Sequence, residues 1–167
     1  MSPELEEKLR YYSWTPGRRV DDSQLHQWLK AAVQTYGCHV FPEAVRILRE
    51  FGGLDFIPIR IEPINPHNLF DDPKLWLTLE WKFNKVLFPV AFYWGYYEIL
   101  MVSTEGMIYS DGMVSGPYDC GRSFEEALEN ILFRRKAIEL IDIIENRTTG
   151  EVFDEAEAIY KAIKSPS

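Results

Sequence analysis

The chain is poor in the residue patterns that announce chemistry or export. Only two cysteines occur, Cys38 and Cys120, too few for a disulfide framework. They stand either as one bridge or as two reduced thiols, and the thiol form is the expectation. Three histidines, His26, His39 and His67, lack metal spacing, and no Cys-His or Ser-His-Asp arrangement has local support. His67 with Asp71 and Asp72 reads as a solvated loop rather than an oxygen-rich cation site. Cys120, beside Asp119 and close to Arg122, reads as a small buried residue rather than an activated thiol. There is no glycine-rich phosphate loop. No catalytic, cofactor-binding or metal-binding residues are therefore expected, and a hydrolase reading has no motif behind it.

Long apolar runs are missing too. The most apolar stretch, Val86 to Trp94, is interrupted by Pro89 and is too short to cross a bilayer. Met1 to Arg10 holds no continuous apolar segment of the secretory kind, so a cytoplasmic protein is expected. Repeats, low-complexity tracts and long linkers are absent, and residues 1–167 read as a single domain. What the chain does have is core material: 46% hydrophobic and 14% aromatic residues, which excludes wholesale disorder.

The net charge of −8 is unevenly spread. Residues 1–60 hold eight basic and eight acidic side chains, whereas residues 61–130 hold four basic and eleven acidic ones. An acidic middle repels phosphate backbones, which speaks against direct nucleic-acid binding and for a basic protein partner. Acidity for solubility alone is the competing account.

Local signals place the elements. Glu4 to Tyr12 reads as a short helix before the Pro16-Gly17 turn. A second helix is capped by Asp22 or Ser23 and carries Leu25, Trp28, Leu29, Ala32, Val33 and Tyr36 on one face until Gly37. A third starts at Pro42 and closes at Gly52-Gly53, with Leu54 folding back on it. A positive φ is expected at Gly52. Phe56 to Ile61 reads as one edge strand holding Pro58. Lys74 to Lys85 fits both strand and helix periods, and Asp72-Pro73 decides for helix. Val86–Trp94, Glu98–Ser103 and Met107–Tyr109 read as hairpin-linked strands, and Asp111-Gly112 as a turn. Ser123 to Glu126 is a capping box opening a helix that extends toward Ile144. Phe153 to Ile163 reads as a last amphipathic helix, so residues 133–167 form a helical extension. Helices, then an antiparallel meander, then helices indicate an α+β fold.

The run Trp14-Thr15-Pro16-Gly17-Arg18-Arg19-Val20-Asp21, then Phe51-Gly52-Gly53-Leu54, resembles the SUKH superfamily. Phe70-Asp71 with Pro73, Leu87-Phe88-Pro89-Val90, Gly106-Met107-Ile108-Tyr109, and Gly121 with Phe124, Ala127 and Leu128 follow in the family's order. The resemblance spans about residues 14–132 and is nearest to the third SUKH subfamily, of bacterial immunity proteins. Ala91 stands where the family usually has glycine. The resemblance implies an α+β fold and the neutralisation of a polymorphic toxin, often a nuclease or nucleic-acid deaminase, by direct binding. The alternative is a SUKH-type adaptor or scaffold that binds a resident cellular protein.

The expected structural motif is Trp14, Pro16, Gly17, Arg18, Phe51, Gly52, Gly53 and Leu54. Arg18 and Arg19 either clamp a partner's carboxylates or, with more weight, tie the N-terminal arm to an internal carboxylate such as Glu50. Phe92 to Tyr97 crowds five rings into one hairpin, which core and surface must share. The partner-binding candidates are Tyr93, Trp94, Tyr96 and Tyr97 as anchors, with Glu98, Glu105, Asp111 and Asp119 as rim charges that steer association.

Overall fold

Capping chemistry sets the helices of the computed structural model, which describes residues 1–56, 59–67, 70, 72–93, 96–112, 117–133 and 138–139. Helix α1 spans Pro3–Tyr11 behind Ser2, whose hydroxyl accepts from the Leu5 amide. Helix α2 spans Asp22–Tyr36. Its cap is Asp21, one residue before the expected pair, because that carboxylate reaches the amides of Ser23 and Gln24. Gly37 ends α2 at φ 71°. Helix α3 spans Pro42–Phe51, and α4 spans Pro73–Phe83 with Asp72 capping through the Lys74 amide. The cap-and-proline start therefore decides the helix over the strand period for this segment. Helix α5 spans Phe124–Leu132.

Among the described residues, seven strands form one antiparallel sheet in strict chain order. They are β1 Asp55–Phe56, β2 Ile59–Arg60, β3 Leu87–Tyr93, β4 Glu98–Ser103, β5 Ile108–Gly112, β6 Tyr118–Gly121 and β7 Ile138–Glu139. The α+β meander read from the sequence is the fold. Every position of β3 and β4 is buried, so the middle of the sheet is covered on both faces. Helix α3 packs on β3 and β4, α5 packs on β6, and Phe51 meets Phe124 at 5.3 Å between ring centroids to join the two helices. Helix α4 reaches β5 through Phe83 on Tyr109, at 4.8 Å.

Several local expectations need correction. The edge strand over Phe56–Ile61 is instead a tight hairpin, with Phe56 opposite Ile59. Asp111 and Gly112 end β5 rather than forming a turn, because Glu98 and Ile99 pair with them. Strand β6 carries too little periodicity to read from sequence, since only four residues hold it and two are half-exposed. Helix α5 stops at Leu132, and Ile138–Glu139 pairs with β6 as a strand, so the extension is not helical there. The helix read over Phe153–Ile163 lies outside the described residues. Pro89 sits in a central strand, where a missing amide would break the ladder. The register shifts between Pro89 and Ala91, which makes a bulge that absorbs it.

Candidate partner-binding surface

The motif that opens the resemblance is an internal brace. Trp14 stacks on Phe51, with centroids 6.3 Å apart and planes 6° apart, and both are buried along with Leu54. The last carbonyls of α3 have no intrahelical donors. Arg18 supplies them: its guanidinium donates to the Glu50 carbonyl at 2.7 Å and the Gly52 carbonyl at 2.9 Å. The acceptor at Glu50 is thus its backbone oxygen, not its carboxylate, which goes to Arg46 at 3.5 Å. Gly52 is not left-handed: its φ is −53°. The positive φ falls on Gly53, at 75°, and the Leu54 amide donates to the Phe51 carbonyl at 3.1 Å. That pattern is a type II turn, which needs glycine at its third residue. Gly52 is needed for a different reason. A Cβ there would overlap the Leu48 carbonyl and the Trp28 ring. Pro16 and Gly17 are exposed, with Gly17 at φ 78°.

The β3–β4 hairpin divides its rings between core and surface. Phe92 and Tyr93 are buried, Tyr96 is half-buried, and Tyr97 is 48% exposed. Trp94 lies outside the described residues. Tyr96 has φ 74°, a left-handed conformation that a ring-bearing residue rarely adopts. A polar network holds it there. Its hydroxyl accepts from Arg60 at 2.7 Å and donates to Glu62 at 3.2 Å, while Asn65 donates to its carbonyl at 3.1 Å. His67 packs edge-on to its ring at 5.0 Å. Burial raises the pKa of both Glu62 and the Tyr96 hydroxyl, and Arg60 opposes the rise in each. Strained residues cluster where binding surfaces must be preformed. Arg60 and Glu62 carry no local signal for this surface because they come from another part of the chain, and His67, read from the sequence as solvated loop, packs on Tyr96 instead of grouping with Asp72.

The four carboxylates expected on a rim do not gather on one. Glu98 is 1% exposed and Asp111 7% exposed, leaving little of either for a partner to touch. Asp111 takes Lys82 of α4 at 2.5 Å. Glu105 lies in the turn after β4, at the opposite end of that strand from Tyr97, and takes Lys85 at 3.1 Å. Asp119 accepts from the Gly121 amide at 3.1 Å. Tyr93 is buried too, and its hydroxyl shares a 3.3 Å hydrogen bond with Ser110. Among the described residues, Tyr96, Tyr97, Glu105 and Asp119 are the candidates that reach the surface.

Cys38 and Cys120 are both buried and unbridged. Burial pushes their thiols up, to about 12 and about 11, so neither is an activated nucleophile. Among the described residues no cluster of His, Cys, Asp and Glu could hold a metal, and no helix is long and apolar enough to cross a membrane.

Against family models, residues 1–133 match that of the SUKH-3 immunity protein. The chain belongs to the SUKH-3 immunity protein family. The match takes in α1, which the motif resemblance over 14–132 left out. No curated protein and no solved structure matches. Membership in a SUKH-3 family gives the brace and the hairpin surface a context in protein recognition.

Proposed function

We propose that this protein, acting as one domain in the cytoplasm, binds and neutralises a cognate bacterial toxin domain. The SUKH-3 match over residues 1–133 is the observation that carries the reading. The toxin's chemistry is proposed to be that of a nuclease or nucleic-acid deaminase from a polymorphic toxin system, with a basic surface around its cleft. Tyr96 and Tyr97 serve as the anchors, because aromatic rings on a fixed backbone lose little freedom on binding. Trp94 belongs to the same proposed patch. Glu105 and Asp119 contribute steering rather than affinity, as rim charges do. Glu98, Asp111 and Tyr93 support the surface from beneath. The protein itself performs no catalysis and needs no cofactor.

The test is co-expression of the full chain with the toxic domain encoded beside it, scored by survival and by co-purification. Survival with a stable complex is expected. Tyr97→Ala should weaken the complex without changing thermal stability, because Tyr97 is exposed. Killing undiminished by co-expression, with no complex recovered, would overturn the reading. Co-purification with a resident cellular protein instead would favour an adaptor role.

A further inference from the structure

Helix α3 turns an outward stripe toward residues 17–19, and between them lies an open groove of about 680 Å³. Its floor is apolar, made by Val40, Phe41, Pro42 and Val45, and Val40 is 43% exposed. Its rim is cationic. The one carboxylate lining the groove, Glu50, is engaged by Arg46, which also holds Glu43 and Glu125. Arg18, Arg19 and Arg49 remain. Arg18 is spent on carbonyl oxygens, which leave its charge unneutralised, and burial lowers its pKa accordingly. Arg19 is exposed, and none of the described residues pairs with it. Arg49 has a solvent-sealed Nε with no partner, and its guanidinium comes no nearer than 3.7 Å to a largely exposed Asp22. The N-terminus of α3, capped by Phe41 with no side-chain hydrogen bond, adds the positive end of a helix dipole to the same field.

A cationic rim over an apolar floor suits one chemistry: carboxylates alternating with apolar side chains. We propose that this groove seats an extended acidic segment of a protein partner, its carboxylates on Arg19 and Arg49 and its apolar side chain on Val40 and Val45. The stripe from Pro42 to Glu50 is about 12 Å long, enough for about four extended residues. A nucleic acid fits less well, because the one ring lining the groove, Phe41, is half-buried and packs edge-on to Phe88, and the net charge of −8 repels a long polyanion. A short peptide senses only charges within about 8–10 Å at physiological salt, and the groove's own lining sets four arginines against one carboxylate. The inference does not depend on the partner being a toxin.

The experiment uses the full chain and a pool of labelled five-residue peptides that alternate Asp or Glu with Leu or Val. Matched peptides with Lys in place of the acids and an oligothymidylate of equal charge serve as comparisons. Anisotropy should show saturable binding of the acidic peptides, weakened by added salt, and the amide resonances of Val40, Val45 and Arg49 should move. Arg19→Glu should weaken binding about tenfold or more and leave the melting temperature unchanged. Arg10→Glu, whose guanidinium pairs with Glu6 on α1, should leave binding intact. If Arg49→Glu also lowers stability, Arg19→Glu alone decides. Equal binding of the lysine peptides, binding of the oligonucleotide alone, no binding by any peptide, or equal loss from Arg10→Glu would each overturn the proposal.

Discussion

Residues 1–60 hold as many acidic as basic side chains, whereas residues 61–130 hold eleven acidic against four basic ones. The folded chain reverses the impression those sums give. In the acidic stretch most carboxylates have structural work. Glu62 holds Arg60 and Tyr96, Asp72 caps α4, Glu80 takes the Leu87 amide, and Glu129 takes the amide of Ser2. Asp111 holds Lys82, and Glu125 holds Arg46. In the neutral stretch, by contrast, four arginines crowd one groove while Glu43 and Glu50 are both drawn to one of them, Arg46. Net charge by segment describes the long-range field. Which charges a partner can pair with depends on which ones the fold has already used.

The same contrast holds for conformation. The brace around α3 uses glycine where the chain cannot tolerate a side chain, while the hairpin tip forces Tyr96 into a left-handed turn and holds it by its hydroxyl. The largest expected effect comes from the brace. Gly52→Ala places a methyl against the Leu48 carbonyl and the Trp28 ring, and both must shift. Overpacking of that kind costs about 2–3 kcal/mol. Gly53→Ala meets nothing closer than 3.5 Å and carries only the penalty of a positive φ, about 1 kcal/mol. Urea unfolding of the two variants checks the order. An equal loss would mean that the turn's backbone, not the approach of Trp28, fixes the glycine pair.

Most of the fold was legible because its signals are local. Proline at the first helical turn, serine or aspartate at the cap, and hairpin spacing each act within a few residues of chain. What was not legible is set by distance in sequence. The acceptors of Arg18 lie more than thirty residues away, and they are carbonyls, which every residue has. Strand β7 comes after a helix-compatible stretch and exists because β6 presents an edge to it. The surface was legible only in part. Alternation said that five rings would be shared between two faces, but the bulge at Pro89–Ala91 shifts the register, and Tyr96 leaves the strand pattern altogether. Burial of Asp111 follows from α4 crossing near β5, which no charge pattern announces.

A second, smaller effect sharpens the electrostatic side of the comparison. Arg46 joins α3 to α5 through Glu125 at 2.9 Å, and also holds Glu43 at 2.8 Å. Burial alone would raise the Glu125 pKa, yet the Arg46 hydrogen bonds and charge, together with the Glu125 amide and the Ser123 hydroxyl, outweigh it and hold the carboxyl below its ordinary value. Arg46→Met should cost about 1 kcal/mol at pH 7, since a partly exposed network is screened. A depressed carboxylate stabilises the fold above its unfolded-state pKa, and that contribution fades as pH falls through the folded value. The gap between Arg46→Met and the parent chain should therefore narrow from about pH 5 to about pH 3. A gap that stays constant over that range would assign the loss to packing of the arginine stem instead.

The smallest effect concerns two carboxylates that look alike in the sequence. Asp111 and Glu105 each face a lysine of the α4 segment, through Lys82 and Lys85. The pairs differ in exposure: Asp111 keeps 10% of its side-chain surface and Glu105 keeps 55%. Water solvates Glu105 whether or not Lys85 is near, so little is lost when its charge goes. Lys85 lowers the Glu105 pKa through a hydrogen bond, but the exposed carboxylate finds water in its place. Asp111 has no such alternative. Neutralising it leaves a half-buried ammonium facing an uncharged carboxamide, whose one oxygen cannot serve both Lys82 and the Gly112 amide as the two carboxylate oxygens do. Glu105→Gln should therefore leave the melting temperature within replicate scatter, while Asp111→Asn lowers it clearly. The same pair separates stability from recognition. Under the proposed function, Glu105→Gln slows association with a basic partner at low salt and not at high salt, because an exposed charge acts at range. If Glu105→Gln lowers stability as much as Asp111→Asn does, exposure is not what sorts these carboxylates. The division between charges used by the fold and charges left for a partner would then have to be drawn elsewhere.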